Sequence, residues 1–127
     1  MFAAGIIERF DNHVLICLPR RPDGADRLWQ FPRALSREDE SPEAAMRRLA
    51  EELLGIEIDI VAGQPPLLEQ AEGREVELRY FFCGILSGSV RSDAYAEIRW
   101  VPRAHLREYE FDEASQPVVD WLIEHGR

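Results

Sequence analysis

The sequence predicts a single α/β (α+β) domain, an α/β/α sandwich whose central mixed β-sheet carries helices on both faces. Three observations carry this expectation. Extended apolar runs and helical runs follow one another as strands, helix, strands, helix. One helix, opening at Ser41-Pro42, has clear start and stop signals. A chain of 127 residues with 46% hydrophobic content is enough for one core and too short for two, so the domain is expected to span residues 1–127.

Ala3 to Arg9 and His13 to Leu18 are β-rich runs separated by Asp11-Asn12, a turn pair, which predicts an opening hairpin. Pro19 to Asp26 contains Pro22 and Gly24 and reads as a loop, and Leu28 to Pro32 as a brief extended segment. At Ser41-Pro42-Glu43 the serine can cap free N–H groups, proline suits the first helical position and the acid complements the macrodipole. Gly55 ends that helix. Ala45, Leu49 and Leu53 form one apolar row and Met46, Ala50 and Leu54 the next, leaving Glu43, Arg47, Arg48, Glu51 and Glu52 outside. Ile56 to Val61, Leu67 to Gln70 and Arg74 to Leu86 read as strands, with Val76, Leu78, Tyr80 and Phe82 on one face. Glu97 to Val101 is a further strand closed by Pro102. Asp112 to Glu124 is predicted helical, with Val118, Val119, Leu122 and Ile123 inward.

Composition narrows the function. The net charge of −9 argues against a nucleic-acid polymer as partner, because such binding relies on clustered cations. No run is apolar for the length of a bilayer, so a soluble, cytoplasmic protein without membrane contact is expected. Cys17 and Cys83 lie in apolar runs and read as small buried hydrophobes, and His13, His105 and His125 are scattered, which disfavours structural zinc. Every basic residue is arginine, which excludes a Schiff-base lysine or a lysine-bearing phosphate loop. Arg20, Arg21, Arg27, Arg33 and Arg37 cluster ahead of the acidic helix, either as solvated loop charge or as an anion-facing rim.

Trp29-x-Phe31-Pro32, Glu40-Ser41-Pro42-Glu43, Arg48 and Gly55-Ile56 resemble the Nudix box, G-x5-E-x7-R-E-U-x-E-E-x-G-U, and the W-x-F-P-G-G segment that often precedes it. The resemblance continues through AAGII with HVLIC, VELRYFFCGILSG and EIRWVP. EASQPVVDWL is similar to the AN-E-P-V-I segment of the MutT-like branch, which hydrolyses oxidised nucleoside triphosphates. The resemblance implies a Nudix-type sandwich and a pyrophosphohydrolase that cleaves a nucleoside diphosphate-linked substrate with Mg²⁺ or Mn²⁺. Such ions neutralise phosphoryl charge, activate water and require hard oxygen ligands. It implies Glu40, Glu51 and Glu52 as metal ligands, with Glu52 and Arg48 catalytic. Phe31, Arg20, Arg21, Arg33 and Ser115 are the substrate-facing candidates, Ser115 standing where the MutT-like branch reads a purine with asparagine. A homodimer is common in the family.

The match departs at the letters that carry the chemistry. Without gaps, Glu40 and Arg48 keep their places, but Leu49, Glu52 and Leu53 stand where three helical glutamates are expected, and Arg33-Ala34 replaces the glycine pair. A one-residue slip instead matches Arg47 to the arginine, Asp39 to the loop glutamate and Glu51-Glu52 to the acidic pair. In either register the site is short of carboxylates. Glu51 and Glu52 also lie four residues after Arg47 and Arg48, the spacing of ordinary helix-face ion pairs. Asp93 and Glu97 are the acids of the late loop. Two further readings therefore stand beside the hydrolase: an inactive nucleotide-binding domain and a protein-interaction domain.

Overall fold

The computed structural model describes residues 2–9, 12–20, 28–61, 68–70, 77–91 and 93–125. Two strands sit at its centre, β1 (Phe2–Arg9) and β2 (His13–Leu18). Side chains alternate across a strand, and here both faces are apolar. Ala4, Ile6, Val14 and Ile16 enter one core, whereas Ala3, Ile7, Leu15 and Cys17 enter another. Strands of this kind need cover on both sides. Helix α1 (Pro42–Leu49) supplies one cover through Ala45, Met46 and Leu49, and helix α2 (Gln116–His125) supplies the other through Val118, Val119 and Leu122. The expected sandwich is thus the observed one. The end of the Met46 side chain fills the space beside Gly5, where a Cβ would lie 2.5 Å from Met46 Cε.

The remaining strands are β3 (Arg33–Leu35), β4 (Ile56–Ile60), β5 (Leu68–Gln70), β6 (Glu77–Gly88) and β7 (Glu97–Pro102). Their order is β4-β6-β1-β2-β7, with β3 on β1 and β5 on β6. Only β1 and β6 run parallel among these pairings, so the sheet is mixed.

The opening hairpin is shorter in pairing than in sequence. β1 meets β2 at Glu8↔Val14 and Arg9↔His13 alone. The lead-in segment bonds to both strands instead: Cys17 and Gln30 exchange backbone hydrogen bonds, Gly5 N donates to Pro32 O, and Ala4 pairs with Arg33. Residues 29–35 are therefore threaded against the diverging ends of β1 and β2. The tail is stitched to the same place, because Trp29 N donates to Glu110 O and Asp112 N to Trp29 O.

Two expectations are corrected, and one element that the sequence left unassigned is added. The tail helix starts at Gln116 rather than Asp112, since Asp112 to Ser115 form a turn closed by Ser115 N donating to Asp112 O. A 3-10 helix at Arg103–Glu108 follows Pro102, which cannot continue the β ladder. The box helix does not stay α-helical past Leu49, as described below. Asp11, Pro22, Gly24, Leu67, Arg74 and Val76, and the side chain of Leu78, fall outside the described residues. No helix among the described residues is long and apolar enough to cross a membrane.

Candidate functional site

Ser41 opens the box helix as expected: its backbone is extended at φ −70°, and its Oγ accepts from Ala44 N at 3.1 Å. The residue before it is committed to an arginine. Glu40 Oε1 accepts from Arg37 N at 3.0 Å and from Arg48 Nη2 at 2.9 Å, while Oε2 accepts from Arg48 Nε at 2.9 Å. Arg48 also donates to Leu35 O at 3.1 Å, tying the helix to β3. The Arg48 fork, then the Arg37 N–H, hold the Glu40 carboxyl down at about 2. The Arg48 pKa is raised, first by its hydrogen bond to Glu40, with smaller contributions from the charges of Glu40 and Glu52. Arg37, Glu38, Asp39, Glu40, Ser41 and Ala44 line an open surface hollow of about 660 Å³ beside this pair.

Beyond Leu49 the helix widens into a π turn, Ala50–Leu54, in which Gly55 N donates to Ala50 O. Such turns hold an extra residue relative to α geometry. Gly55 then closes the helix at φ +71°, a left-handed conformation suited to glycine. The widening explains an otherwise odd contrast. Leu49 and Leu53 would share a face of an α-helix, yet Leu49 is 1% exposed and Leu53 38%. Glu51 and Glu52 are both exposed.

Among the described residues no group of three or more His, Cys, Asp or Glu side chains could hold a metal ion. Both oxygens of Glu40 are taken up by Arg48 and Arg37. Leu49 belongs to the core between helix and sheet. Glu51 and Glu52 remain exposed on the helix, and a Mg²⁺ ion held there would take the rest of its oxygen shell from water and substrate phosphates. Glu40, Glu51 and Glu52, the three sequence candidates, are not brought together as a metal-binding group.

The substrate-facing candidates lie elsewhere in the fold. Phe31 is 1% exposed, stacked on Phe111 with ring centroids 5.6 Å apart and edge-on to Tyr80 at 6.2 Å. It is a core residue in this arrangement. Arg20 is exposed and donates to Asp93 O at 3.3 Å, whereas Arg21 lies outside the described residues. Arg33 Nη2 donates to Gln30 Oε1 and Asp112 Oδ2, each at 2.5 Å. Asp112 Oδ1 accepts from Ser115 N at 3.1 Å. Ser115 is fully buried, and its Oγ has no hydrogen-bond partner among the described residues. Buried hydroxyls are nearly always satisfied, so this atom stands out.

Asp112 and Gln30 are site residues that the sequence reading missed. The signal for Asp112 was the acid three residues before Ser115 at a helix start, a local pattern for a side-chain-to-backbone turn. Its ion pair with Arg33 spans 79 residues and has no local signal. Behind the pair, Cys17 and Tyr95 share a hydrogen bond. Burial pushes the Cys17 thiol up to about 12 and raises Tyr95 as well, so neither is ionised near neutrality. Cys83 is likewise raised to about 12 by burial, and both cysteines are free thiols inside the core, as expected from their apolar surroundings.

Comparison with known proteins agrees with the fold. The family model for the NUDIX domain matches residues 1–122. A solved MutT structure, from work on Aliivibrio salmonicida and Vibrio cholerae, is 27% identical over 98% of this chain and 95% of that chain, with a TM-score of 0.77. The E. coli ORF135 protein is 24% identical over 94% of this chain and 84% of its own, at a TM-score of 0.72. A C. elegans Ap4A hydrolase is 15% identical over 98% of this chain and 93% of its own, at 0.74. No curated protein matches. NUDIX hydrolases generally use divalent metals and act on nucleotide-diphosphate substrates. With the box arginine paired to its loop glutamate and the family model spanning nearly the whole chain, this protein belongs to the NUDIX family.

Proposed function

We propose that this chain is a NUDIX-fold domain that binds a nucleotide or another diphosphate-linked small molecule without a complete metal centre, acting as a binder rather than an efficient pyrophosphohydrolase. The observation that carries this reading is the fate of Glu40: its two oxygens satisfy Arg48 and Arg37, leaving no three-carboxylate set among the described residues. Binding rests on family membership and on the second cluster, where Arg33 offers a cation and Ser115 an unpartnered hydroxyl. The net charge of −9 supports a small ligand over a nucleic-acid polymer.

The test is calorimetric titration with a panel of nucleoside di- and triphosphates, once in EDTA and once in Mg²⁺ or Mn²⁺, with phosphate release followed in parallel. Equal affinity in both buffers and no release are expected. The hydrolase reading is the second candidate, favoured by the two exposed acids Glu51 and Glu52 at the end of the box helix. It wins if binding requires metal, phosphate is released, and Glu52→Gln abolishes the release.

A further inference from the structure

Arg33 stands where the segment resembled in sequence has glycine, and it gives the lead-in a charged side chain with one neighbour of opposite sign. Its side chain is 24% exposed and that of Asp112 is 17% exposed, so the pair is half-buried and still reached by solvent. Among the described residues the guanidinium is engaged through Nη2 alone, by Gln30 and Asp112. Asp112 is held from the other side by Ser115 N, and its own backbone N–H bonds Trp29 O. The acid is thus fixed in place by backbone contacts that do not depend on Arg33. Three residues further on lies the buried, unpartnered Ser115 Oγ.

An arginine fork binds phosphate oxygens through two parallel N–H donors, and a carboxylate satisfies the same donors. A fixed carboxylate at the fork therefore competes with an anionic ligand for one guanidinium. Resting on the reading that this protein takes a diphosphate-linked ligand, we propose that the half-buried Arg33 is an anion-binding residue and that Asp112 masks it, so that the Arg33–Asp112 pair sets the affinity for the ligand's diphosphate group. The remaining donors of Arg33 make first contact, and full engagement draws Nη2 away from Asp112. Asp112 thereby acts as a selectivity residue: a ligand without an anion cannot exchange for it, and a weakly charged one gains little.

The competition has a direction that a merely structural clasp lacks. Asp112→Asn keeps an oxygen to accept from Ser115 N while removing the charge that opposes the ligand. Titrations with ADP, GDP, CDP and UDP in EDTA are compared with their nucleosides for wild type, Asp112→Asn and Arg33→Gln, with thermal melts confirming folding. The Asn variant is expected to bind at least one nucleoside diphosphate about tenfold more tightly than wild type. Its affinity should also fall more steeply with salt, because an unmasked charge is more exposed to screening. Arg33→Gln should lose about tenfold or more, and the nucleosides should show no gain. A diphosphate that binds wild type and Asp112→Asn equally, or an equal gain for the nucleosides, overturns the masking idea while leaving the proposed binding function standing. No binding of any diphosphate to wild type or either variant overturns both.

Discussion

Arg48 grips Glu40 with two nitrogens, Nε and Nη2, each 2.9 Å from a carboxylate oxygen eight residues earlier in the chain. The fork joins the loop before the box helix to the helix itself, and a third contact, to Leu35 O, adds β3. This pair is the part of the box that the fold uses for its own architecture.

The pairing has a pH signature. Glu40 is held at about 2 against an ordinary 4.5, chiefly by the Arg48 hydrogen bonds. A carboxylate with a depressed folded-state pKa contributes stability that is fully present above its unfolded value and lost as pH falls through the folded one. Melting temperatures of wild type should therefore fall between about pH 4.5 and pH 2, and Glu40→Gln should flatten that portion of the curve while lowering stability at neutral pH. Equal slopes for the two proteins over that window would show that the Glu40–Arg48 pair does not govern acid unfolding.

The two leucines at ligand positions should respond oppositely to an added acid. Leu49 is 1% exposed in the core beneath α1, so Leu49→Glu buries a charge without a partner and should cost about 3 kcal/mol or more. Leu53 is 38% exposed on the π turn, so Leu53→Glu should change stability by about 0.5 kcal/mol or less. It also places a third acid in the run Glu51-Glu52. Mn²⁺ binding, read by water-proton relaxation, should be stronger in Leu53→Glu than in wild type; equal relaxation would mean that the widened turn points these acids apart.

Which of these features could be read from the sequence depends on the range of the interactions behind them. β1 and β2 were legible because two apolar faces leave an unbroken run such as VLIC, and the helix start because Ser41-Pro42 is a local cap. The π turn was hidden, since Ala45, Leu49 and Leu53 continue the α period that the turn breaks. β3 was hidden because its three residues alternate no hydrophobic pattern and owe their conformation to pairing with Phe2–Ala4. In the site, Glu40 and Arg48 were legible as spaced letters but not as partners of each other. Arg33 was legible as a cation, while its link to Asp112 needed the stitching of residues 110–112 onto Trp29.

Phe31 illustrates how a motif residue can be structural. Its ring is enclosed by Phe111 and Tyr80, and Tyr80 in turn donates to Ala114 O at 3.1 Å. Phe31→Ala should destabilise the protein by about 3–5 kcal/mol, the range for emptying an aromatic site in a core. Chemical denaturation measures it. A loss below about 1 kcal/mol would instead mark the ring as a surface available to a ligand.

Ser115 should behave in the reverse way. A buried hydroxyl without a partner costs about 1–3 kcal/mol of desolvation, and Ser115 Oγ is such a group. Removing it in Ser115→Ala leaves the backbone contacts intact, because Ser115 N still reaches Asp112 and Ser115 O still accepts from Val119 N. The variant should therefore be as stable as wild type or more stable by about 1 kcal/mol. If the hydroxyl is kept for a ligand, the same change should weaken nucleotide binding by about tenfold. Urea melts and calorimetry on one preparation separate the two effects: stability gained with affinity lost identifies a binding group, whereas stability lost with affinity unchanged identifies a hydroxyl that serves the fold.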